Sequence, residues 1–164
     1  MNATDKKVTI LDFGTIFTAK EKASPGGIKV TEEFDEAFNY EYVDAHQNKE
    51  LVFVHKASKT LITADLIFNL PAVEQYSKTG ESPSSGFLTK LFAGLQNTKG
   101  SAIWQKRMLW YVLSKADRPG FNASVQRINT FNFENIIPAH GDTIIGDGKQ
   151  IFEKVFGWHL AGKK

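Results

Sequence analysis

The stretch from His46 to Asp65 constrains the fold more than any other part of this 164-residue chain. Two runs rich in Val, Phe, Leu, Ile and Thr, Glu50–His55 and Thr60–Ala64, are separated by the short polar segment Lys56–Lys59. Such runs suit a pleated, half-buried surface, so the pattern predicts a β-hairpin. Because the two ends of a hairpin this short lie near each other, His46 and Asp65 are predicted at one rim of a sheet, a reasonable place for a metal.

A third polar position lies far downstream. The segment Asn135–Asp142 reads NIIPAHGD, a short apolar run and a proline followed by His140 and Gly141 in a turn. A strand that delivers a histidine at a turn repeats the arrangement of the first two positions. His and Asp at strand ends are also common turn residues, and the third position is what favours the metal interpretation.

The order of these segments resembles the C-terminal half of the metallo-β-lactamase superfamily. The resemblance is carried by His46 with the following QNKELVFVHKASKTLITAD, by ADLIFNLPAVEQYS, and by IIPAHGDTI with GKQIFEKVFGWHL. The resemblance spans roughly residues 39–160. Within the superfamily, the sequence is similar to a poorly characterised, largely fungal branch. The superfamily signature H-x-H-x-D-H, which belongs to the N-terminal half, does not occur in this sequence. The chain thus resembles the second half of a metallohydrolase without the first.

The resemblance implies an α/β fold, namely a half or truncated αββα sandwich whose sheet is mostly antiparallel or mixed, with helices on one face. It divides the chain into a divergent N-terminal segment (1–38), the metallo-β-lactamase-like C-terminal half (39–160) and a basic tail (161–164). Patterning predicts an edge strand at Val8–Phe13, a helix capped by Thr31, strands at Phe38–Val43 and Phe133–Ala139, and helices over Gly86–Asn97, Ser101–Ala116 (capped by Ser101), Arg118–Thr130 and Asp147–Leu160.

In the superfamily, two metal ions activate a bridging water for attack on a carbonyl or phosphoryl centre. By resemblance, His46 would serve the first metal, Asp65 would bridge both at the catalytic position, and His140 would serve the second. Zinc is the implied cofactor, with iron or manganese as alternatives. A catalytic zinc normally has three protein ligands, so neither site is complete unless all three residues bind one ion. Asp44 and Asp142 would orient the two histidines from outside the coordination sphere.

Each candidate also has an ordinary structural interpretation. Asp65 could accept backbone amides in its turn, His46 could be an exposed loop residue, and His140 could belong to a simple Gly-containing turn. His55 is predicted to be structural because its strand neighbours are apolar. His159 lies near the end of the last predicted helix, where a cation interacts favourably with the helix dipole.

Three functions remain open on this basis. The first is a hydrolase-derived protein acting on an ester, thioester or similar bond of a small molecule. The second is a non-enzymatic binding or interaction protein on the same sheet scaffold, and the third is a fragment of a longer hydrolase. A lone half of the sandwich would expose the inner face of its sheet, so the expected partner is a second copy or the missing N-terminal half.

Composition excludes several other classes. The net charge is +2 and the positive residues are spread along the chain, so no nucleic-acid footprint is seen. The absence of cysteine excludes disulfides and thiolate zinc sites. No apolar run approaches the roughly 20 residues of a membrane span, and the N-terminus lacks the apolar core of a signal peptide. A cytoplasmic protein is therefore expected.

Overall fold

The predicted hairpin forms, and two further strands extend it into one sheet. The computed structural model describes residues 17–162. The strands are β1 (Phe38–Val43), β2 (Glu50–His55), β3 (Thr60–Thr63) and β4 (Asn135–Pro138), arranged in the order β1-β2-β3-β4. The β1/β2 and β2/β3 pairs are antiparallel and the β3/β4 pair is parallel. An α/β class with a mixed sheet is therefore confirmed.

The strand directions decide where polar side chains meet. Because β2 is antiparallel to both of its neighbours and β4 is parallel to β3, strands β1, β3 and β4 all run the same way. Their carboxyl ends therefore lie at one edge of the sheet. His46, Asp65 and His140 each follow one of these three ends within a few residues. We call this edge the rim.

One face of the sheet carries the hydrophobic core. Along β2 the side chains of Glu50, Val52 and Val54 are buried, while the alternating side chains are only half-buried, as the period of two requires. Val54 lies opposite Leu61, and Leu61 lies opposite Ile136 on the next strand. The helices bring apolar side chains onto this face: Leu109, Phe121, Val125, Ile128, Phe152, Val155 and Phe156.

Eight helices connect and cover the strands within residues 17–162. They are α1 (Ala19–Lys22), α2 (Glu32–Ala37), α3 (Val73–Tyr76), α4 (Phe87–Leu95), α5 (Ile103–Met108), α6 (Arg118–Thr130), α7 (Gly148–Val155) and α8 (Gly157–Leu160). Thr31 caps α2 as predicted, since its hydroxyl accepts the N–H of Phe34 at 3.2 Å. Asp117 caps α6 through the N–H of Gly120. The predicted bounds of α6 are confirmed.

Two helices differ from expectation. The helix predicted from Ser101 begins only at Ile103, and its cap residue is Ala102 in a left-handed conformation (φ 50°) with no side-chain cap, so the capping role of Ser101 is wrong. From Leu109 to Leu113 it continues as a π-helical turn. The Ser114 hydroxyl donates to the Leu109 carbonyl at 2.8 Å, a side-chain-to-backbone bond of the kind that competes with regular helix pairing.

The last predicted helix is divided in two. Phe156 leaves helical geometry (φ −93°, ψ 12°) between α7 and α8. Gly157 follows it directly, and a glycine inside a helix costs about 1 kcal/mol relative to alanine. The break lets Phe156 and His159 both turn into the core.

The opposite face of the sheet is covered only in part. The Phe34 ring of α2 packs against Phe38 and Phe53. Farther across the sheet, Ile62 of β3 and Ile137 of β4 are 37% and 45% exposed. We call the surface formed by Phe53, Ile62 and Ile137 the open face.

The remaining expectations concern the N-terminus and the membrane. The predicted edge strand Val8–Phe13 lies outside the described residues. Between residues 17 and 162, no helix combines the length and apolar character that crossing a bilayer requires.

Candidate functional site

The rim brings Asp65 and His140 into direct contact. Nε2 of His140 lies 3.0 Å from Oδ1 of Asp65. Both side chains are reachable from solvent, with exposed fractions of 52% for His140 and 32% for Asp65. Parallel pairing of β3 with β4 causes this contact, because Thr63 and Pro138 lie side by side at the ends of the two strands. Asp65 and His140 are far apart in the sequence, and the sheet brings them into contact.

His46 is linked to this pair through Asn48. The Asn48 amide donates from Nδ2 to Oδ2 of Asp65 at 2.6 Å, and the Asn48 backbone N–H donates to Nδ1 of His46 at 3.1 Å. His46 is only 2% exposed and its ring stacks on Phe121 at 6.0 Å. Its Nε2 atom is buried and has no hydrogen-bond partner among residues 17–162. The three predicted residues thus belong to one chain of contacts, but His46 lies behind the rim.

Burial governs the protonation of His46. Removal from water lowers the pKa of His46, while the nearby carboxylate and backbone of Asp65 oppose this effect. The imidazole of His46 accepts the Asn48 N–H through Nδ1, which a neutral ring can do and a doubly protonated ring cannot.

A buried carboxyl group holds the backbone that carries Asp65. Glu50 is 5% exposed, and its two oxygens accept the N–H groups of Ala64 and Asp65 at 2.8 and 2.7 Å. Burial raises the pKa of Glu50 to about 7, although the backbone N–H groups act in the opposite direction. Glu50 thereby fixes the turn after β3, and with it the direction of the Asp65 side chain.

His140 is held by its ring and by its backbone. The ring of Phe68 stacks on it with centroids 5.1 Å apart and planes 9° apart. The His140 carbonyl accepts the N–H of Asn69 at 3.0 Å. Gly141 has φ 119°, and a Cβ at that position would lie 2.2 Å from the Asn69 carbonyl carbon. Only glycine fits this close approach.

The loop beneath His140 is anchored by a buried amide. Gln105, which is fully buried, accepts the Phe68 N–H and donates to the Phe68 carbonyl, both at 2.9 Å. It also donates to the carbonyl of Asn97 at 3.0 Å. Because both backbone groups of Phe68 are fixed, the aromatic ring that stacks on His140 is fixed as well.

Asp44 and Asp142 contact groups other than the histidines that follow or precede them. Oδ1 of Asp142 accepts the backbone N–H of Glu74 at 2.8 Å, so this carboxylate holds the start of α3 instead of orienting His140. The Asp44 carboxylate lies 2.8 Å from Nζ of Lys22. Each carboxylate therefore binds another hydrogen-bond donor, although it lies within two residues of a histidine in the sequence.

Asp44 belongs to a separate charged cluster. Nζ of Lys22 contacts Glu41 at 2.7 Å as well as Asp44, and Nε of Arg127 lies 3.3 Å from Glu41. We call these four residues the Lys22 network. Burial lowers the pKa of Lys22, but its hydrogen bonds to Asp44 and Glu41 outweigh this and raise the pKa above its usual value. The network fastens α1 and α6 to β1.

The two other histidines lie outside the rim. Nδ1 of His55 is 2.8 Å from the Ser58 hydroxyl in the hairpin turn, a structural contact. His159 is 1% exposed, and its Nδ1 lies 2.7 Å from Oδ1 of Asn122. Burial, assisted by the charge of Arg118, lowers the pKa of His159 to about 4. The expectation of a cationic His159 at a helix end is therefore wrong, because the helix break turns the ring into the core.

Two side chains of metal-ligating type are in contact at the rim. Within residues 17–162, no set of three or more His, Asp and Glu side chains is arranged to hold a metal ion. Asp65 and His140 are adjacent and accessible, whereas the ring of His46 hydrogen-bonds neither of their side chains. A catalytic zinc normally has three protein ligands. The adjacent pair Asp65 and His140 supplies one ligand fewer than that number.

Sequence reasoning missed the residues that support the rim. Glu50 gave a readable signal, since it shares the period-two apolar face of Val52 and Val54 and is the polar exception on that face. Asn48 and Phe68 carry no recognisable sequence signal, because their contacts depend on the conformations of the loops that contain them. Gln105 was hidden within an apolar helix segment.

Comparison with known proteins adds no relative: no protein-family model, no curated protein and no solved structure matches the chain significantly. The fold and the site thus define an α/β protein with a mixed four-stranded sheet. A His–Asp pair lies at the edge of the sheet where β1, β3 and β4 end.

Proposed function

We propose that the rim is a hydrolase-derived site at which Asp65 and His140 bind one divalent transition-metal ion, zinc first among them. The single observation that supports this is the 3.0 Å contact between Nε2 of His140 and Oδ1 of Asp65 on an accessible edge. Imidazole nitrogen and carboxylate oxygen are both zinc ligands. Two groups in contact can both direct lone pairs at one ion once the proton between them is released.

The bound metal would supply a water of lowered pKa or a polarised carbonyl. The chain itself does the positioning. Asn48 fixes the second oxygen of Asp65, Glu50 fixes its backbone, and Phe68 fixes the plane of the His140 ring. Such supporting contacts orient ligands and set their basicity.

The surface beside His140 suits an apolar substrate. Phe92 of α4 contacts the Phe68 ring edge-on at 6.4 Å, and Phe68 in turn covers His140. Phe87 and Leu88 on the same helix are 78% and 76% exposed. Contiguous exposed apolar surface of this kind marks a binding region. We therefore infer that the substrate is an ester or thioester whose acyl chain lies along α4.

Zinc titration by calorimetry, with metal content measured after dialysis, tests the site. We expect about one zinc per chain, with affinity falling at least tenfold in His140→Ala and in Asp65→Asn. His55→Ala is the matched control, because His55 bonds Ser58 away from the rim. Equal loss in His55→Ala, or no zinc bound by the unaltered protein, would contradict the proposal.

Hydrolysis of nitrophenyl esters with short and long acyl chains tests the chemistry. We expect zinc-dependent turnover that favours the long chain, and the preference should weaken in Phe87→Ser. If zinc binds but no ester or thioester is cleaved, the rim is a metal site without this activity.

A second candidate is an interaction protein that pairs with a copy of itself. The observation that favours it is the open face, where Ile62 and Ile137 stay exposed beside Phe53. The hydrophobic face of a sheet normally lies against another layer. A symmetric dimer would bury this face on both chains with the same residues.

Sedimentation equilibrium distinguishes this candidate. We expect a dimer that dissociates in the double variant Ile62→Glu, Ile137→Glu. Ile145→Glu serves as the control because Ile145 is 73% exposed and lies outside the open face. A folded monomer at high concentration would rule the dimer out.

A further inference from the structure

A second concave site lies along the outer edge of β1. It is a cleft of about 290 Å³ bounded by the Gly26–Lys29 loop, by β1, by Arg127 of α6 and by Phe131, which follows that helix. β1 is an edge strand, paired only with β2 in the described sheet. The cleft shares no lining residue with the rim, so it would serve a separate purpose.

The charge lining the cleft is positive. Four cationic side chains contribute to it, against the two carboxylates Asp35 and Glu41, which gives a formal charge of +2; the cations are Lys22, Lys29, Lys56 and Arg127. A concave surface of one sign concentrates ligands of the other sign. The cleft therefore favours a small anion.

The two carboxylates are already occupied by protein donors. Glu41 is 4% exposed and faces Lys22 and Arg127 within the Lys22 network. Oδ1 of Asp35 accepts the Tyr40 hydroxyl at 2.5 Å. Neither carboxylate is therefore directed at a ligand as a free charge, and their repulsion of an anion is reduced.

Arg127 and Lys56 are the cations most available to a ligand. Arg127 meets Glu41 through Nε, and 68% of its side chain remains exposed. A guanidinium binds phosphate oxygens in a bidentate manner. Lys56 is exposed, and its Nζ donates to the backbone carbonyl of Asp35 at 2.7 Å instead of to a carboxylate. Its charge is therefore not neutralised by that contact.

The walls of the cleft are suited to bind a ring that is covalently attached to the anion. Phe38, Tyr40, Tyr42 and Phe131 line the cleft together with the backbone of Gly26 and Gly27. A volume near 300 Å³ is at the lower end for small-molecule sites. It accommodates a phosphate group and one sugar-sized ring.

We propose that this cleft binds a phosphomonoester of a small ring-containing metabolite, with Arg127 and Lys56 holding the phosphate and the aromatic wall holding the ring.

Titration with a hexose phosphate, followed by calorimetry and by amide chemical shifts in NMR spectra, tests the proposal. We expect saturable binding with the largest shifts at Gly26, Gly27 and β1. Inorganic phosphate should bind the same amides more weakly, and the uncharged hexose should not bind. If inorganic phosphate binds as tightly as the ester, the ring-binding part of the proposal is overturned.

Substitutions locate the anion contact. Arg127→Gln and Lys56→Gln should each weaken hexose phosphate binding about tenfold, and the loss should shrink at high salt because charge attraction is screened. Lys56→Gln removes no ion pair formed within residues 17–162, so it tests the site even if loss of the Glu41 contact unfolds the Arg127 variant. Arg107→Gln is the matched control, since Arg107 lies over the Trp104 ring away from the cleft. Absence of binding, shifts that map elsewhere, or an equal loss in Arg107→Gln would overturn the proposal.

Discussion

The rim and the Lys22 network are two polar clusters attached to the same sheet, and they differ in what their acids do. In the network, Glu41 is 4% exposed and faces two cations, so its charge serves to hold α1 and α6. At the rim, Asp65 is 32% exposed and faces a half-exposed imidazole and an amide. The buried carboxylate of the network supports the fold, whereas the accessible carboxylate of the rim can serve a ligand.

The largest expected effect comes from breaking the network. Glu41→Ala removes the buried carboxylate that Lys22 and Arg127 share, while Lys22 keeps Asp44 and 68% of the Arg127 side chain is exposed. Since a hydrogen bond to a charged group contributes about 1.5–3 kcal/mol, we expect a loss of about 2–3 kcal/mol in the free energy of unfolding, measured by urea denaturation. A loss below about 1 kcal/mol would show that the network does not hold the helices.

The pH dependence of stability compares two buried groups: the carboxyl group of Glu50, behind the rim, and the imidazole of His159, among the helices. The pKa of Glu50 is raised to about 7, so its contribution to stability is full below pH 4.5 and is lost as pH rises through 7. The pKa of His159 is lowered to about 4, so its contribution is full above pH 6.5 and is lost as pH falls through 4. Each shift corresponds to up to about 3 kcal/mol, and the two oppose each other between pH 4.5 and 6.5.

Single substitutions separate these opposing contributions. We expect the stability of Glu50→Gln to rise more steeply from pH 4.5 to 6.5 than that of the unaltered protein, and the stability of His159→Gln to fall over the same range. Urea denaturation at several pH values measures both. Parallel profiles for all three proteins would contradict the opposed titration of Glu50 and His159.

Gly141→Ala is expected to have an intermediate effect. A Cβ at this position would approach the Asn69 backbone to 2.2 Å at a φ of 119°, so the turn has to move. Strain of this kind costs about 1–3 kcal/mol. We expect a loss of about 2 kcal/mol and weaker zinc binding, because the displaced turn carries His140. Gly146→Ala is the control, since a Cβ there meets nothing within 4 Å although its φ is also positive.

The smallest effect on stability is expected at the rim itself. Asp65→Asn weakens a partly exposed His–Asp contact, and even fully ionised pairs at the surface contribute less than about 1 kcal/mol. We expect nearly unchanged unfolding in urea together with lost zinc binding. A large loss of stability in Asp65→Asn would place the rim with the network as a structural cluster.

Strands with clear alternation and the helix with clear caps could be predicted from sequence. β2 has strict period-two burial, and α6 is capped by Asp117 and carries Pro119 in its first turn, so local pattern and final structure agree. The π-helical turn at Leu109 and the break at Phe156 could not be predicted, because the Ser114 back-bond and the packing of His159 are decided by tertiary context.

The sequence predicted which residues meet at the rim only where strand direction brings them together. His46, Asp65 and His140 follow strands that run in one direction, so the sheet gathers them. Asp44 and Asp142 depended on adjacency alone, and the stronger donors Lys22 and the Glu74 N–H captured them. The metallo-β-lactamase-like half-sandwich stays a hypothesis on the mixed sheet that is observed.

The parallel pairing of β3 with β4 has a consequence for how the molecule is assembled. The two strands are separated by more than seventy residues, and α3 to α6 lie between them. Contacts between such distant segments carry a large loop-closure entropy and tend to form late. His140 meets Asp65 only when this pairing is complete, so an ion captured by the two side chains would report the final step of folding and would be lost from any species that has only the hairpin.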